Sequence, residues 1–152
     1  MSLKVKDVMS KEIKSLSPDM NAKDALEYLI KSGMSGLPVI DSDDNLVGVF
    51  TEKEVLSAIV PSYVKDVGAF VYGEDSKAEL KKLVQLEKFK IKDLMRKEFS
   101  TIGEESSLTE ASKIMLTKSE RRIVVVRGRH PVGIITRCDV VKALADKAGI
   151  KL

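Results

Sequence analysis

Lys4-Val5-Lys6-Asp7-Val8-Met9-Ser10-Lys11-Glu12-Ile13 returns 86 residues later as Lys90-Ile91-Lys92-Asp93-Leu94-Met95-Arg96-Lys97-Glu98-Phe99, with six of the ten pairs identical. A stretch that recurs at a fixed offset means that one structural plan is used twice. The offset holds through the next apolar pattern, Ala22, Ala25, Leu26, Leu29 and Ile30, which is matched by Leu108, Ala111, Ser112, Met115 and Leu116. Spacing of i, i+3, i+4, i+7, i+8 predicts a helix with one stripe turned to a core. Both helices carry start signals, Asn21 with Asp24 three residues on and Ser107 with Glu110 as a capping box.

Working outward, each helix is followed by two short β-rich runs. They are Leu37-Pro38-Val39-Ile40 and Leu46-Val47-Gly48-Val49-Phe50 in the first copy, separated by the polar turn Asp41 to Asn45. In the second they are Ile123-Val124-Val125-Val126 and Pro131-Val132-Gly133-Ile134-Ile135, separated by Arg127-Gly128-Arg129-His130. Each pair reads as a hairpin. From Gly48 to Gly133 the offset is 85, a one-residue difference that falls in the turn, where length is tolerated. A closing helix is expected from about Glu52 to Ile59 and from about Arg137 to Lys147, with Gly149 ending the second.

Each copy is therefore strand, helix, strand, strand, helix, an α/β (α+β) plan with too little apolar surface to stand comfortably alone. The expected domains are a first repeat over 1–60, a helical insert or linker over 61–88 and a second repeat over 89–152. Within the insert, Lys77 to Lys88 read as helical, with Leu80, Leu83, Val84 and Leu86 as apolar positions. We expect it to be a connecting arm.

Composition limits what such a chain can do. Of 152 residues, 43% are apolar and 32% charged, enough for a core and a soluble surface. The balance of 26 basic against 23 acidic residues gives only +3, so any anion site must be local. Cys138 is the one cysteine and has no disulfide partner. No apolar run approaches the ~20 residues that a membrane-spanning helix requires, and no signal pattern opens the chain, so the expected location is the cytoplasm.

No nucleophile has a triad, no Gly-rich phosphate loop is present and no metal cluster appears, so no enzymatic activity and no required cofactor are expected. Asp41, Asp43 and Asp44 read as a soluble hairpin turn rather than a cation site. His130 and Cys138 have no partner of metal-ligand or catalytic type nearby, and Cys138 reads as a small filler. Thr51-Glu52-Lys53-Glu54 is a capping box, and Thr136 with Asp139 can make the same reciprocal cap. Both threonines fall where a strand turns into a helix, where unpaired backbone N–H groups and the helix dipole attract a phosphate.

Asp-Val-Met at the start of each copy, written Asp-Leu-Met in the second, and Gly-x-x-Thr-x-x-acid at the end together resemble the CBS-domain family, over nearly all the chain except the insert. The resemblance implies two CBS repeats packed with pseudo-twofold symmetry, a Bateman module, with two clefts that hold an adenosine-containing ligand such as AMP, ADP, ATP or S-adenosylmethionine. Carried over residue by residue, the preferred cleft uses Thr136 and Asp139 with Met9, Lys14, Ser35, Gly36 and Leu37. The second cleft uses Thr51 and Glu54 with Met95, Ser100, Arg121 and Arg122. In that role an aspartate accepts both ribose hydroxyls in charge-assisted bonds; Asp139 matches it, and Glu54 is one methylene longer. Of Arg121 and Arg122, adjacent in an extended segment, at most one faces a given cleft.

The resemblance further implies a regulatory module that pairs into a homodimer, through faces such as Val55, Leu56, Ile59 and Val140, Val141, Leu144, and is read by an effector protein. Two other readings stand beside it. One is nucleic-acid binding through the basic stretch Lys81, Lys82, Lys88, Lys90, Lys92, Arg96, Lys97 and the region Arg121 to His130, which lacks an aromatic stacking platform. The other is a dimeric scaffold that binds no ligand.

Overall fold

The computed structural model describes residues 3–60 and 76–150. In chain order the elements are α1 (Val5–Val8), α2 (Ala22–Ser32), β1 (Gly36–Ile40), β2 (Leu46–Thr51), α3 (Glu52–Ile59), α4 (Ser76–Val84), a 3-10 turn (Gln85–Lys88), α5 (Ile91–Leu94), β3 (Thr101–Gly103), α6 (Leu108–Thr117), β4 (Arg122–Arg127), β5 (His130–Thr136) and α7 (Arg137–Lys147). This is the expected two-repeat α+β plan, with the hairpins and closing helices within a residue or two of their sequence positions. The repeated Asp-Val-Met segments are single helical turns, α1 and α5. The strand of the plan comes after them, as β3 in one copy and as a lone parallel bridge of Leu16 to Val39 in the other.

The chain divides into two compact units, but not at the repeat boundaries. One comprises Met1–Lys14, Asp44–Leu46 and Ser100–Leu152; the other comprises Ser15–Asp43 and Val47–Phe99. In the first unit β3 runs parallel to β4, and β4 pairs antiparallel with β5. The outer edge of β5 is taken by Ser10, whose N–H and C=O both bond Ile134 at 2.9 Å. In the second unit Leu16 flanks β1, and the edge of β2 is taken by Arg96, bonded to Val49 through both backbone groups at 2.9 Å. Each hairpin is thus covered at its edge by the lead segment of the other copy. An edge strand left open would expose unpaired backbone groups, and the exchange removes that liability.

A side-chain fit accompanies these backbone bonds. A Cβ built on Gly133 would lie 2.5 Å from Sδ of Met9, and one on Gly48 would lie 2.5 Å from Sδ of Met95. The Met of each lead segment lies against the Gly of the hairpin it covers, which is why the two motifs occur together. Asp7 and Asp93 serve locally: each carboxylate accepts the N–H three residues back, Lys4 at 2.9 Å and Lys90 at 3.2 Å.

The core of the second unit gathers Leu16, Ala22, Ala25, Leu29, Leu37, Val39, Phe50, Val55, Leu86 and Ile91. Its helix α2 is capped by Asn21, whose Oδ1 accepts the Lys23 N–H at 2.8 Å, and it ends at Gly33 with φ of 70°. The core of the first unit gathers Val5, Ile102, Leu108, Ala111, Met115, Ile123, Val125, Ile135 and Val140. The buried stripe is narrower than the sequence pattern suggested, because Ile30 is 69% exposed and Leu116 77%. At 100° per residue the i+8 position sits about 80° from i, at the margin of the stripe. At Ser107 the cap is one-sided: Oγ accepts the Glu110 N–H at 3.1 Å, without the reciprocal bond expected of a capping box.

Part of the insert, residues 61–75, lies outside the described residues. Its last stretch is not a mere arm. Leu86 is 1% exposed in the second unit's core, and Asn21 donates through Nδ2 to the Glu87 carbonyl at 2.6 Å. Leu80 and Val84, by contrast, are exposed at 61% and 60%.

Candidate functional site

Each unit places the same constellation at the turn from its hairpin into its closing helix. In the first unit Thr136 is the N-cap of α7: its Oγ1 accepts the Asp139 N–H at 3.1 Å, and Oδ2 of Asp139 accepts the Thr136 N–H at 2.9 Å. In the second, Oγ1 of Thr51 accepts the Lys53 N–H at 3.1 Å and Oε1 of Glu54 accepts the Thr51 N–H at 2.8 Å. Reciprocal capping fixes the side chains and satisfies amides that a helix start leaves unpaired.

The extra methylene of Glu54 changes the chemistry. Its Oε1 also accepts the Thr51 hydroxyl proton at 2.6 Å, so that hydroxyl is committed. Asp139 reaches only the backbone, and among the described residues the Thr136 hydroxyl proton and Oδ1 of Asp139 have no partner. The first unit therefore presents one hydroxyl donor and one carboxylate oxygen that its own cap does not use.

Met9, Lys14, Ser100, Arg121, Arg122, Thr136 and Asp139 all belong to the first unit; Ser35, Gly36, Leu37, Thr51, Glu54 and Met95 belong to the second. Arg122 is the cross-strand partner of Thr136, so their side chains leave the sheet on the same face. It is half-buried, and burial pushes its guanidinium below the ordinary arginine value. Arg121 is exposed; its carbonyl accepts the Arg137 N–H at 3.0 Å. Lys14 is exposed and Ser100 half-buried.

In the second unit Ser35 and Gly36 hold the positions of Arg121 and Arg122, and the Ser35 carbonyl accepts the Glu52 N–H at 3.0 Å. Space at 36 is tight: a Cβ there would lie 2.6 Å from Cγ2 of Thr51, so the threonine side chain would have to shift. Leu37 is fully buried in the core. One residue near this constellation escaped the sequence reading as a site residue. Arg96, counted there as part of a basic stretch, stands across β2 from Val49, on the strand face shared with Thr51. The signal was available, because the repeat register aligns Ser10 with Arg96.

Elsewhere in the first unit, Nδ1 of His130 lies 2.8 Å from the Asp44 carbonyl. A carbonyl only accepts, so Nδ1 carries the proton. In the acidic turn Asp41 accepts the Asp43 N–H at 3.0 Å, as a turn-forming aspartate does. Among the described residues no helix is long and apolar enough to cross a membrane.

Two sheet-and-helix units built from one repeated plan, each ending in a capped Thr turn, define a tandem-repeat α+β module. The chain belongs to the CBS-domain family: the CBS domain profile matches residues 5–61 and again 91–146. An uncharacterised protein of Methanocaldococcus jannaschii, MJ1426, is 27% identical over 92% of this chain and 90% of its own length. The chain spans only 41%, 26% and 15% of three further curated relatives. Among solved structures, the CBS-pair protein CBSX2 of Arabidopsis thaliana matches with a TM-score of 0.78 at 27% identity, covering 98% of this chain and 99% of that one. A structure of CBSX2 in complex with AMP matches with a TM-score of 0.72 at 27% identity, covering 95% of this chain and 98% of that one.

Proposed function

We propose that this chain is a regulatory module that binds an adenosine-containing ligand, AMP, ADP, ATP or S-adenosylmethionine, and performs no chemistry on it. The observation that carries this reading is the first unit's Thr136–Asp139 turn, with a hydroxyl proton and a carboxylate oxygen left over from the cap. A carboxylate oxygen can accept from the ribose hydroxyls, and the start of the 11-residue helix α7 suits an anionic group. The structural likeness to CBSX2, solved with AMP, supports the same ligand class. Residues Met9, Lys14, Ser35, Gly36 and Leu37 complete the preferred site in this reading, and Met95, Ser100, Arg121 and Arg122 join Thr51 and Glu54 in a second.

Regulation requires that the ligand bind one arrangement of the protein better than another. A homodimer read by an effector protein, in the cytoplasm, is the setting we propose. Exposed Leu56, Val141 and Leu144, at 57%, 64% and 52%, are apolar surface that a second copy would cover; light scattering on the purified protein tests that pairing.

Calorimetric titration with the four ligands, on wild type and on Asp139→Asn, tests the function. Asparagine retains an acceptor for the Thr136 amide, so the cap survives while the charge is lost. Saturable binding weakened about tenfold or more, the worth of one charge-assisted hydrogen bond, is expected. No heat from any ligand with the wild type would overturn the reading.

A further inference from the structure

Ser10 and Arg96 occupy the same place in the two units. Each forms the same pair of 2.9 Å backbone bonds with the edge of a hairpin, Ser10 with Ile134 and Arg96 with Val49. Each hairpin strand then runs two residues on to its capping threonine, Thr136 or Thr51. Only the side chain differs, a hydroxymethyl in one unit and a guanidinium in the other. Arg96 is half-buried; its Nε is fully buried and, among the described residues, has no hydrogen-bond partner, and no ion pair joins its head to an acid. A buried donor nitrogen without an acceptor is costly, and an acceptor arriving from outside would satisfy it.

The position of Arg96 says where that acceptor lies. Cross-strand partners share a face, so Arg96 stands with Val49, and Val49 with Val47 and Thr51. The burial of β2 alternates accordingly, with Leu46, Gly48 and Phe50 inward and Val47, Val49 and Thr51 half-buried on the other side. Thr51 is about 7 Å along the strand from Val49, within the reach of an arginine. Unit one has Arg122 beside its capping threonine; unit two has Gly36 there, close against Thr51. The arginine on this face of the second unit, Arg96, enters from the other flank.

We infer that Arg96 is the residue with which the second unit reads an anionic oxygen, that of a phosphate on the bound ligand, at the Thr51 turn. The inference rests on the adenosine-ligand reading for the identity of the ligand, though not for the anion site itself. It makes the two turns unlike in kind. Around Thr136 a hydroxyl and a carboxylate oxygen remain for a polyol, with Arg122 at the flank, whereas around Thr51 the hydroxyl is spent on Glu54 and the guanidinium dominates.

Residue-resolved NMR titration of the full chain separates the two turns. Wild type and Arg96→Met are each titrated with AMP and with adenosine, following the Thr51 and Thr136 amides. Expected are an apparent AMP affinity at Thr51 at least about tenfold weaker in Arg96→Met, with adenosine at Thr51 and AMP at Thr136 changed less than twofold. An unchanged AMP affinity at Thr51 would overturn the inference. If the wild type binds neither nucleoside nor nucleotide, the adenosine reading falls, and sodium pyrophosphate followed at Thr51 decides for Arg96. A saturable shift lost in Arg96→Met upholds the anion site, and no saturable shift overturns it. Since Nε has no bond to lose, the ligand-free variant should melt no lower than wild type; a fall of several degrees would assign Arg96 a structural task and refute the proposal.

Discussion

Replacing Gly133 by Ala tests the crosswise packing of the two repeats directly. The added Cβ would meet Sδ of Met9 at 2.5 Å, its Cγ at 2.9 Å and the backbone oxygen of Ser10 at 2.9 Å. The methionine tip can swing aside, but the Ser10 oxygen cannot, because both backbone groups of that residue are bonded to Ile134. Overpacking of this kind costs about 2 kcal/mol. For a chain of 152 residues that corresponds to a fall in Tm of about 4–8 °C. Differential scanning calorimetry on Gly133→Ala, Met9→Ala and the double variant supplies the decisive quantity. Shortening Met9 removes two of the three close contacts, so the double variant should be less destabilised than the sum of the singles by about 1 kcal/mol or more. Gly133→Ala combined with Met95→Ala should be additive within about 0.5 kcal/mol. Rescue by Met95→Ala, or additivity with Met9→Ala, would refute the exchange of lead segments.

Two further outcomes follow from the same geometry. Leu86→Ala, at a position buried in the second unit's core, should cost about 2–5 kcal/mol by chemical denaturation, whereas Leu80→Ala, exposed, should cost under about 1 kcal/mol; equal effects would refute the view that the insert's end belongs to the core. Hydrogen bonds from Lys4 and Lys6 hold the Glu105 carboxyl down to about 2. A depressed carboxyl stabilises the folded state above its unfolded value near 4.5 and ceases to as pH falls through about 2. The Lys4 and Lys6 tie to Glu105 should therefore persist at pH 4 and be lost only near pH 2; an NMR midpoint for the Glu105 carboxyl near 4.5 would contradict the pairing.

The sequence made most of the fold legible because the repeat let weak local signals confirm one another. A single Gly-x-x-Thr-x-x-acid is a helix cap, but the same cap 85 residues later, after matching hairpins, marks two equivalent units. What the repeat by itself does not tell is which copy each lead segment covers; the family resemblance was needed to put Met9 with Thr136 and Met95 with Thr51. Met9 lies on Gly133 and Met95 on Gly48. Periodicity is a property of neighbours in the chain, and no local pattern encodes a contact across more than a hundred residues. Leu86 was hidden for a related reason, since its burial comes from α2 and not from its own short turn.

The threonine turns carry the same lesson into chemistry. By type, Asp139 and Glu54 are one family of residue, and the sequence could rank them only by length. In the structure the extra methylene decides whether the threonine hydroxyl is available or consumed, because Glu54 curls back to within 2.6 Å of Oγ1 while Asp139 stops at the backbone. The arginines differ in the same local way: Gly36, close against Thr51, stands where the other unit has Arg122, and Arg96 stands on the far side of the strand, supplied by the lead segment of the other repeat. Exchange of the lead segments thus has a chemical consequence as well as a packing one, because it lets each turn draw a side chain from a repeat that the hairpin itself does not contain.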